Sequence, residues 1–287
     1  MKYQLLRHLL ASGLLLVTAC SKDEVKPGSG SSSTPTRDDN LALGNPSGAT
    51  TDTNNYTNYL LIKPQYALSY HRDRGIPNWV SWHLSSAWLG TVDRQDNFTA
   101  DNSLPTGWYR VTTSSYTGSG FDRGHNCPSA DRTSSVDDNS ATFLLSNIMP
   151  QAPNNNQRTW VGLENYCRTL VDQGNELYII CGSYGKGGVG SNGAASTLDN
   201  GRVTVPDRCW KVVVVLPVGT DDVKRVGTST RVIAIDTPND NSIKTDWATY
   251  RTSIDAIEQS TGYDLLSAVS TSVQKTVEAS VDTGPTN

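Results

Sequence analysis

Asp122-Arg123-Gly124-His125 sets a carboxylate, a guanidinium and an imidazole side by side, and Asn147-Ile148-Met149-Pro150-Gln151, Asn156, Trp160, Leu163 and Glu164 follow downstream. An imidazole, a side-chain amide, carboxylates and arginines are the groups needed to cleave a phosphodiester with a single hard metal ion. The imidazole suits the role of base, because its unperturbed pKa of about 6.5 leaves it mostly neutral at about pH 7 to 8. On that footing activity falls on the acid side, with a limb between about pH 5 and 7. Gly124 permits a close backbone approach, and Asp131-Arg132 follows in a loop opened by Pro128.

Taken singly, these residues also have plain structural readings. A lone histidine is more often a satisfied core residue or an exposed loop residue than a base. On a helix after Pro153, Trp160, Leu163, Cys167 and Val171 fall within roughly 60° of Asn156 and form an apolar stripe, with Glu164 and Arg168 one turn apart at its edge. That pair reads equally well as a surface ion pair, and Asn156, Asn154 or Asn155 as a helix N-cap.

The elements that must position these groups follow from hydrophobic periodicity. Strands are expected at 59–62, 66–70, 79–84 (with period-two alternation), 108–112, 176–181 and 210–216, the last with four consecutive valines, as in a strand buried on both faces. Helices are expected at 138–145, at 156–171 with Gly174 as its stop, and at 247–260 with Gly262 beyond it. The mixture is α+β, without βαβ alternation or internal repeats. Gly188-Val189-Gly190-Ser191-Asn192-Gly193 fits a nucleotide-binding spacing, but no apolar helix follows it, so a mobile glycine-rich loop is expected. Trp79, Trp82, Trp88 and Trp108 read as core aromatics before they read as base-stacking platforms.

The 287 residues, 36% of them hydrophobic, suffice for one domain with a proper core. Net charge is −4, and it becomes −6 once Lys2 and Arg7 leave with the first 19 residues, so any phosphate-binding site must be a local patch. Lys2 and Arg7 precede a short apolar run from Leu9 to Val17, and Val17-Thr18-Ala19-Cys20 resembles a bacterial lipobox. Residues 1–19 are therefore expected to be a lipoprotein signal peptide and Cys20 the lipidated N-terminus, anchored through more than one acyl chain. The protein would then be exported, extracytoplasmic and held at the outer membrane or cell surface, to which Ser21-Lys22-Asp23-Glu24 adds a signal for the outer face. Residues 20–54 form a linker, with its low-complexity stretch at Pro27–Thr36, and the domain occupies 55–287. Beyond Cys20, the cysteines Cys127, Cys167, Cys181 and Cys209 are even in number for an exported protein, which leaves three disulfide connectivities open, and zinc as a second use.

Asp122–His125, Asn147–Gln151, Asn156, Trp160 and Leu163-Glu164 together resemble the DNA/RNA non-specific endonucleases of the ββα-metal (His-Me finger) fold, which include endonuclease G. The likeness extends to Tyr66–Tyr70, Pro77–Trp82, Asp93–Phe98, Pro128–Arg132 and Thr261–Leu265, and is strongest to the secreted sugar-non-specific nucleases of filamentous cyanobacteria. The resemblance implies a central antiparallel or mixed sheet flanked by helices. It also implies His125 as general base and Asn156 as the direct ligand of one Mg2+, with Mn2+ able to substitute. Glu164 and Asp122 would be supporting carboxylates, and Arg94, Arg123 and Arg168 the arginines near the scissile phosphate. DNA and RNA bound through phosphates are the implied substrates, 5′-phosphorylated fragments the products, and a protein inhibitor a further partner. Where relatives often carry a small apolar pair after the histidine, this chain has Asn126-Cys127. A catalytically silent nucleic-acid-binding surface lipoprotein is the alternative, which intact Asp122, His125, Asn156 and Glu164 oppose. An enzyme acting on a lipid headgroup phosphodiester is a third reading.

Overall fold

The computed structural model describes residues 34–286, so the signal segment, Cys20 and the spacer as far as residue 33 lie outside the described residues. In chain order the strands that matter here are β1 (Tyr59–Ile62), β2 (Ala67–His71), β3 (Ile76–Leu84), β4 (Asp122–His125), β5 (Ile148–Gln151), β6 (Asn175–Tyr184), β7 (Arg208–Pro217), β8 (Arg231–Pro238) and β9 (Arg251–Thr252). The helices are α1 (Val136–Ala141), α2 (Val161–Asp172), α3 (Asp222–Arg225), α4 (Ile254–Thr261) and α5 (Thr271–Val277). Seven strands form one sheet in the order β1-β2-β3-β6-β7-β8-β9, every pairing antiparallel, while β4 and β5 pair only with each other.

Alternation along the central strands divides residues between two apolar layers. Val80, Trp82 and Leu84 of β3 pack with Leu163, Cys167 and Val171 of α2, whereas Trp79 packs on the other face with Ile254 and Ile257 of α4. In β7, Val213 joins the α2 layer and Val212 and Val214 the α4 layer, so the valine run is buried on both faces as expected. Period two here selects which core a side chain enters, not core against water. Gly174, with φ 88°, closes the helical segment, and Gly262, with φ 76°, caps α4, because the left-handed conformation at a helix end favours glycine.

The strand neighbours β3 and β6 are separated in sequence by residues 85–174, and this excursion contains all seven residues singled out for chemistry. The sheet thus serves as a fixed floor, and the hairpin β4–β5 with α2 forms the working part.

Several expectations need correction. Residues 108–112 are not a strand: Arg110 donates to the backbone oxygens of Asp101 and Leu104, and Trp108 packs edge-on against Tyr59, so side chains hold this segment instead of a ladder. The helix expected at 138–145 is the shorter α1, and the one expected at 247–260 is broken into a 3-10 turn (Trp247–Tyr250), β9 and α4. Residues 37–50, expected within the linker, lie on the body: Asn40 donates to the carbonyls of Lys63 and Pro64, and Leu43 and Ala49 are buried in the α4 layer. The glycine-rich stretch is a hairpin (Gly188–Gly190 with Gly193–Ala195) and not an open loop; a Cβ on Gly190 would stand 2.4 Å from the carbonyl oxygen of Gly120. Trp79, Trp82 and Trp88 are buried, as core residues should be, and Trp108 is half-buried.

Candidate active site

The hairpin β4–β5 places Asp122 opposite Gln151 and His125 opposite Ile148. It closes only with glycine at 124, since a Cβ there would lie 2.4 Å from Gln151 Oε1 and 2.7 Å from Gln151 Cβ. After His125 the chain is held by the side chain of Asn147. Its Oδ1 accepts from Cys127 N–H at 3.0 Å, and its Nδ2 donates to the carbonyls of Cys127 at 2.9 Å and Thr142 at 2.8 Å. The His125 ring is wedged edge-on against Phe143 (centroids 4.9 Å apart) and tilted against Phe98 (5.3 Å), and its Nε2 is buried without a hydrogen-bond partner. Burial, reinforced by the nearby Arg94 and Arg123 charges, pushes its pKa down to about 3. The imidazole is therefore neutral across the working range, and the unperturbed value assumed from sequence does not hold here.

Asn155–Trp160 form a π turn that runs directly into α2. This wider turn brings two consecutive side chains to one carboxylate: Asn156 Nδ2 and Gln157 Nε2 both donate to Asp122 Oδ2 at 2.8 Å. Asn156 is thus not the N-cap, and with its amide nitrogen engaged its carbonyl oxygen is left for another partner. Glu164 and Arg168 do not form the i,i+4 ion pair either. Arg168 binds Asp131 Oδ1 at 2.7 Å, and Asp131 in turn accepts from Trp82 Nε1 at 3.0 Å. Glu164 meets the buried Lys211 Nζ at 3.4 Å, and that ammonium also lies 4.2 Å from the Trp160 ring centroid. Burial raises the Glu164 carboxyl above its ordinary range, while Lys211 and Arg168 pull it back.

Arg94, Arg123, His125, Asn156, Glu164 and Arg168 line a single cavity of about 240 Å³, to which Asp122 is tied through Asn156 and Gln157. Arg94 reaches Ser129 Oγ at 3.1 Å and lies over Phe143, while Arg123 lies 4.0 Å over Phe98 and has no carboxylate partner among the described residues. The local basic patch expected within an acidic chain is therefore present. Its oxygen donors, the Asn156 amide and the Glu164 carboxylate, fit a hard cation, and no cysteine faces them.

Sequence reasoning missed Lys211. A lysine inside a strand read as buried on both faces should have signalled it, because a buried ammonium needs a partner. The aromatic seats Phe98 and Phe143 carried no signal of their own. Cys127, Cys167, Cys181 and Cys209 are free and buried, which overturns the disulfide expectation, and none joins a candidate metal cluster among the described residues. They pack as small apolar side chains, and burial pushes the Cys127 and Cys167 thiols up to about 12. A separate cluster of Asp38, His83, Glu176 and Asp222 lies away from this cavity. There Asp38 N–H donates to His83 Nδ1 at 3.3 Å, His83 Nε2 faces Glu176 at 3.4 Å, and Arg225 binds both Glu176 and Asp222, the contacts of an internal ion-pair network.

The sequence model of the family described as DNA/RNA non-specific endonuclease matches residues 44–272. The chain belongs to this family. A nuclease of Nostoc sp. is 48% identical over 273 residues, covering 95% of this chain and 97% of the Nostoc protein. Human mitochondrial endonuclease G is 33% identical over 167 residues, 56% of each chain. A crystal structure described as the EndoG/EndoGI complex shares the fold, with a TM-score of 0.64 at 23% identity over 80% of this chain and 91% of that one. Family and fold together identify an α+β nuclease of the ββα-metal kind.

Proposed function

We propose that the chain is a Mg2+-dependent, sugar-non-specific endonuclease that cuts DNA and RNA to 5′-phosphorylated fragments, with Mn2+ able to replace Mg2+. The observation that carries this reading is the convergence of a neutral His125, the free carbonyl oxygen of Asn156, Glu164 and three arginines on one cavity. His125 takes the proton of the attacking water, whose oxygen bonds to phosphorus as the bond from phosphorus to the 3′ oxygen breaks. Arg94, Arg123 and Arg168 hold the phosphate oxygens through fork-shaped donor sets, which position the backbone without reading bases. Asn156 would hold the cation directly, with Asp122 fixing the Asn156 amide and Glu164 orienting water at the cavity wall. The bound cation supplies positive charge opposite that developing on the phosphate and on the leaving 3′ oxygen. Digested DNA should accept a 5′ label only after phosphatase treatment; direct labelling of untreated fragments would contradict this direction of cleavage.

The acid limb of activity is assigned to Glu164, not to His125. A carboxyl raised by burial takes its proton at a higher pH than an ordinary glutamate, whereas an imidazole lowered to about 3 stays neutral there. Lys211→Met removes the cation that restrains this rise, so the acid limb of kcat/KM should move up by about one pH unit or more. An unmoved limb in a folded Lys211→Met protein would remove Glu164 from the essential ionisations.

Val17-Thr18-Ala19-Cys20 supports export as a lipoprotein tethered through Cys20, with the nuclease domain outside the cytoplasm at the outer membrane or cell surface. The EndoG structure described as an inhibited complex supports a protein inhibitor as a further partner.

A further inference from the structure

The geometry points to a second cation site, distinct from the nuclease cavity, in which Asp255, Glu258 and Glu278 bind Ca2+ and join the start of α4 to the end of α5. Asp255 and Glu258 stand three residues apart on one side of α4, and Glu278 is the residue that ends α5. The two helices already meet here, since Asp255 N–H donates to the Glu278 carbonyl at 3.0 Å. One carboxylate oxygen from each of the three residues lies within 4.8 Å of the others, no more than the span across a Ca2+ ion held at about 2.4 Å.

Glu278 supplies the observation that a surface acidic cluster alone would lack. It is only 7% exposed, and its Oε1 is buried with no hydrogen-bond donor. Glu258 is already committed on one side, accepting Leu265 N–H at 2.7 Å through Oε1. None of the three forms an ion pair with a Lys, Arg or His among the described residues, and the nearby Asp264 adds further negative charge. A buried carboxylate with neither donor nor cation is costly unless it is protonated or coordinates a metal. Glu278 thus sits among Asp255, Glu258 and Asp264, like charges that a divalent ion would neutralise. The donors are all oxygens, which favours Ca2+ over Zn2+, and an outward-facing Asp255 leaves room for the waters that complete six to eight ligands.

The test is Ca2+ binding by the full chain carrying Asn156→Ala, which removes the catalytic ligand, measured at about pH 8 by calorimetry and thermal unfolding after EDTA treatment. One Ca2+ should bind with a dissociation constant of about 0.1 to 1 mM, and Tm should rise by several degrees at saturating Ca2+. Adding Glu278→Gln should weaken binding at least tenfold and abolish the Tm response. Asp255→Asn, at an exposed position where folding is not at risk, should do the same. No Ca2+ uptake by the Asn156→Ala protein, or equal uptake after either added substitution, would overturn the assignment.

Discussion

Replacing His125 with alanine should lower the single-turnover rate of DNA cleavage by about 10³-fold, while affinity for an uncleaved oligonucleotide changes by less than about threefold. General-base catalysis contributes on the order of 10² to 10⁴ in rate. The ring is fixed between Phe98 and Phe143 and kept neutral by burial and by Arg94 and Arg123. Phosphate affinity rests on those arginines, not on the imidazole, so binding should survive the substitution. Rates from rapid-quench assays and affinities from fluorescence anisotropy without divalent cations separate the two quantities. A loss below tenfold would end the general-base assignment, and a parallel collapse of binding would mean that the hairpin itself had been disturbed.

The second large effect is expected from Asn156→Ala. The substitution removes an amide oxygen left free on the cavity wall and takes one of two amide donors from Asp122. Activity at about 1 mM Mg2+ should fall at least a hundredfold, and the Mg2+ concentration giving half-maximal rate should rise at least tenfold, since even supporting partners of a metal ligand are worth about 10- to 100-fold. Titrating Mg2+ against initial rate for both proteins measures this. An unchanged half-saturation point would show that Asn156 does not hold the cation, whatever the fall in rate.

The parts of the site that lie close together in the chain were legible from the sequence. Asn156, Glu164 and Arg168 fall on the helical segment expected for them, whereas no strand was expected at 122–125 or 148–151, so Asp122, Arg123 and His125 were picked out as residue types without the hairpin that carries them. Partners supplied from elsewhere were not. Lys211 reaches Glu164 from a strand 47 residues away, and Asp131 displaces Glu164 as the partner of Arg168. A uniform 100° wheel also cannot represent the π turn at Asn155–Trp160, and that turn is what carries both Asn156 and Gln157 to Asp122. The cysteines were misread for a related reason. An even count in an exported chain implies pairing only when the thiols come together, and these four are dispersed as apolar filling in one large core layer. At 188–193 the spacing of glycines was visible but not the cause, which is the close approach of Gly190 to the backbone at Gly120.

The most direct test is digestion of covalently closed circular plasmid DNA, and separately of RNA, by the purified protein in Mg2+ and in excess EDTA. A closed circle has no ends, so its loss requires internal cleavage. Degradation of both substrates in Mg2+, with none in EDTA and none by the His125→Ala protein, is the predicted result. An intact plasmid and intact RNA in the presence of Mg2+, or digestion that continues undiminished in EDTA, would contradict a metal-dependent non-specific endonuclease.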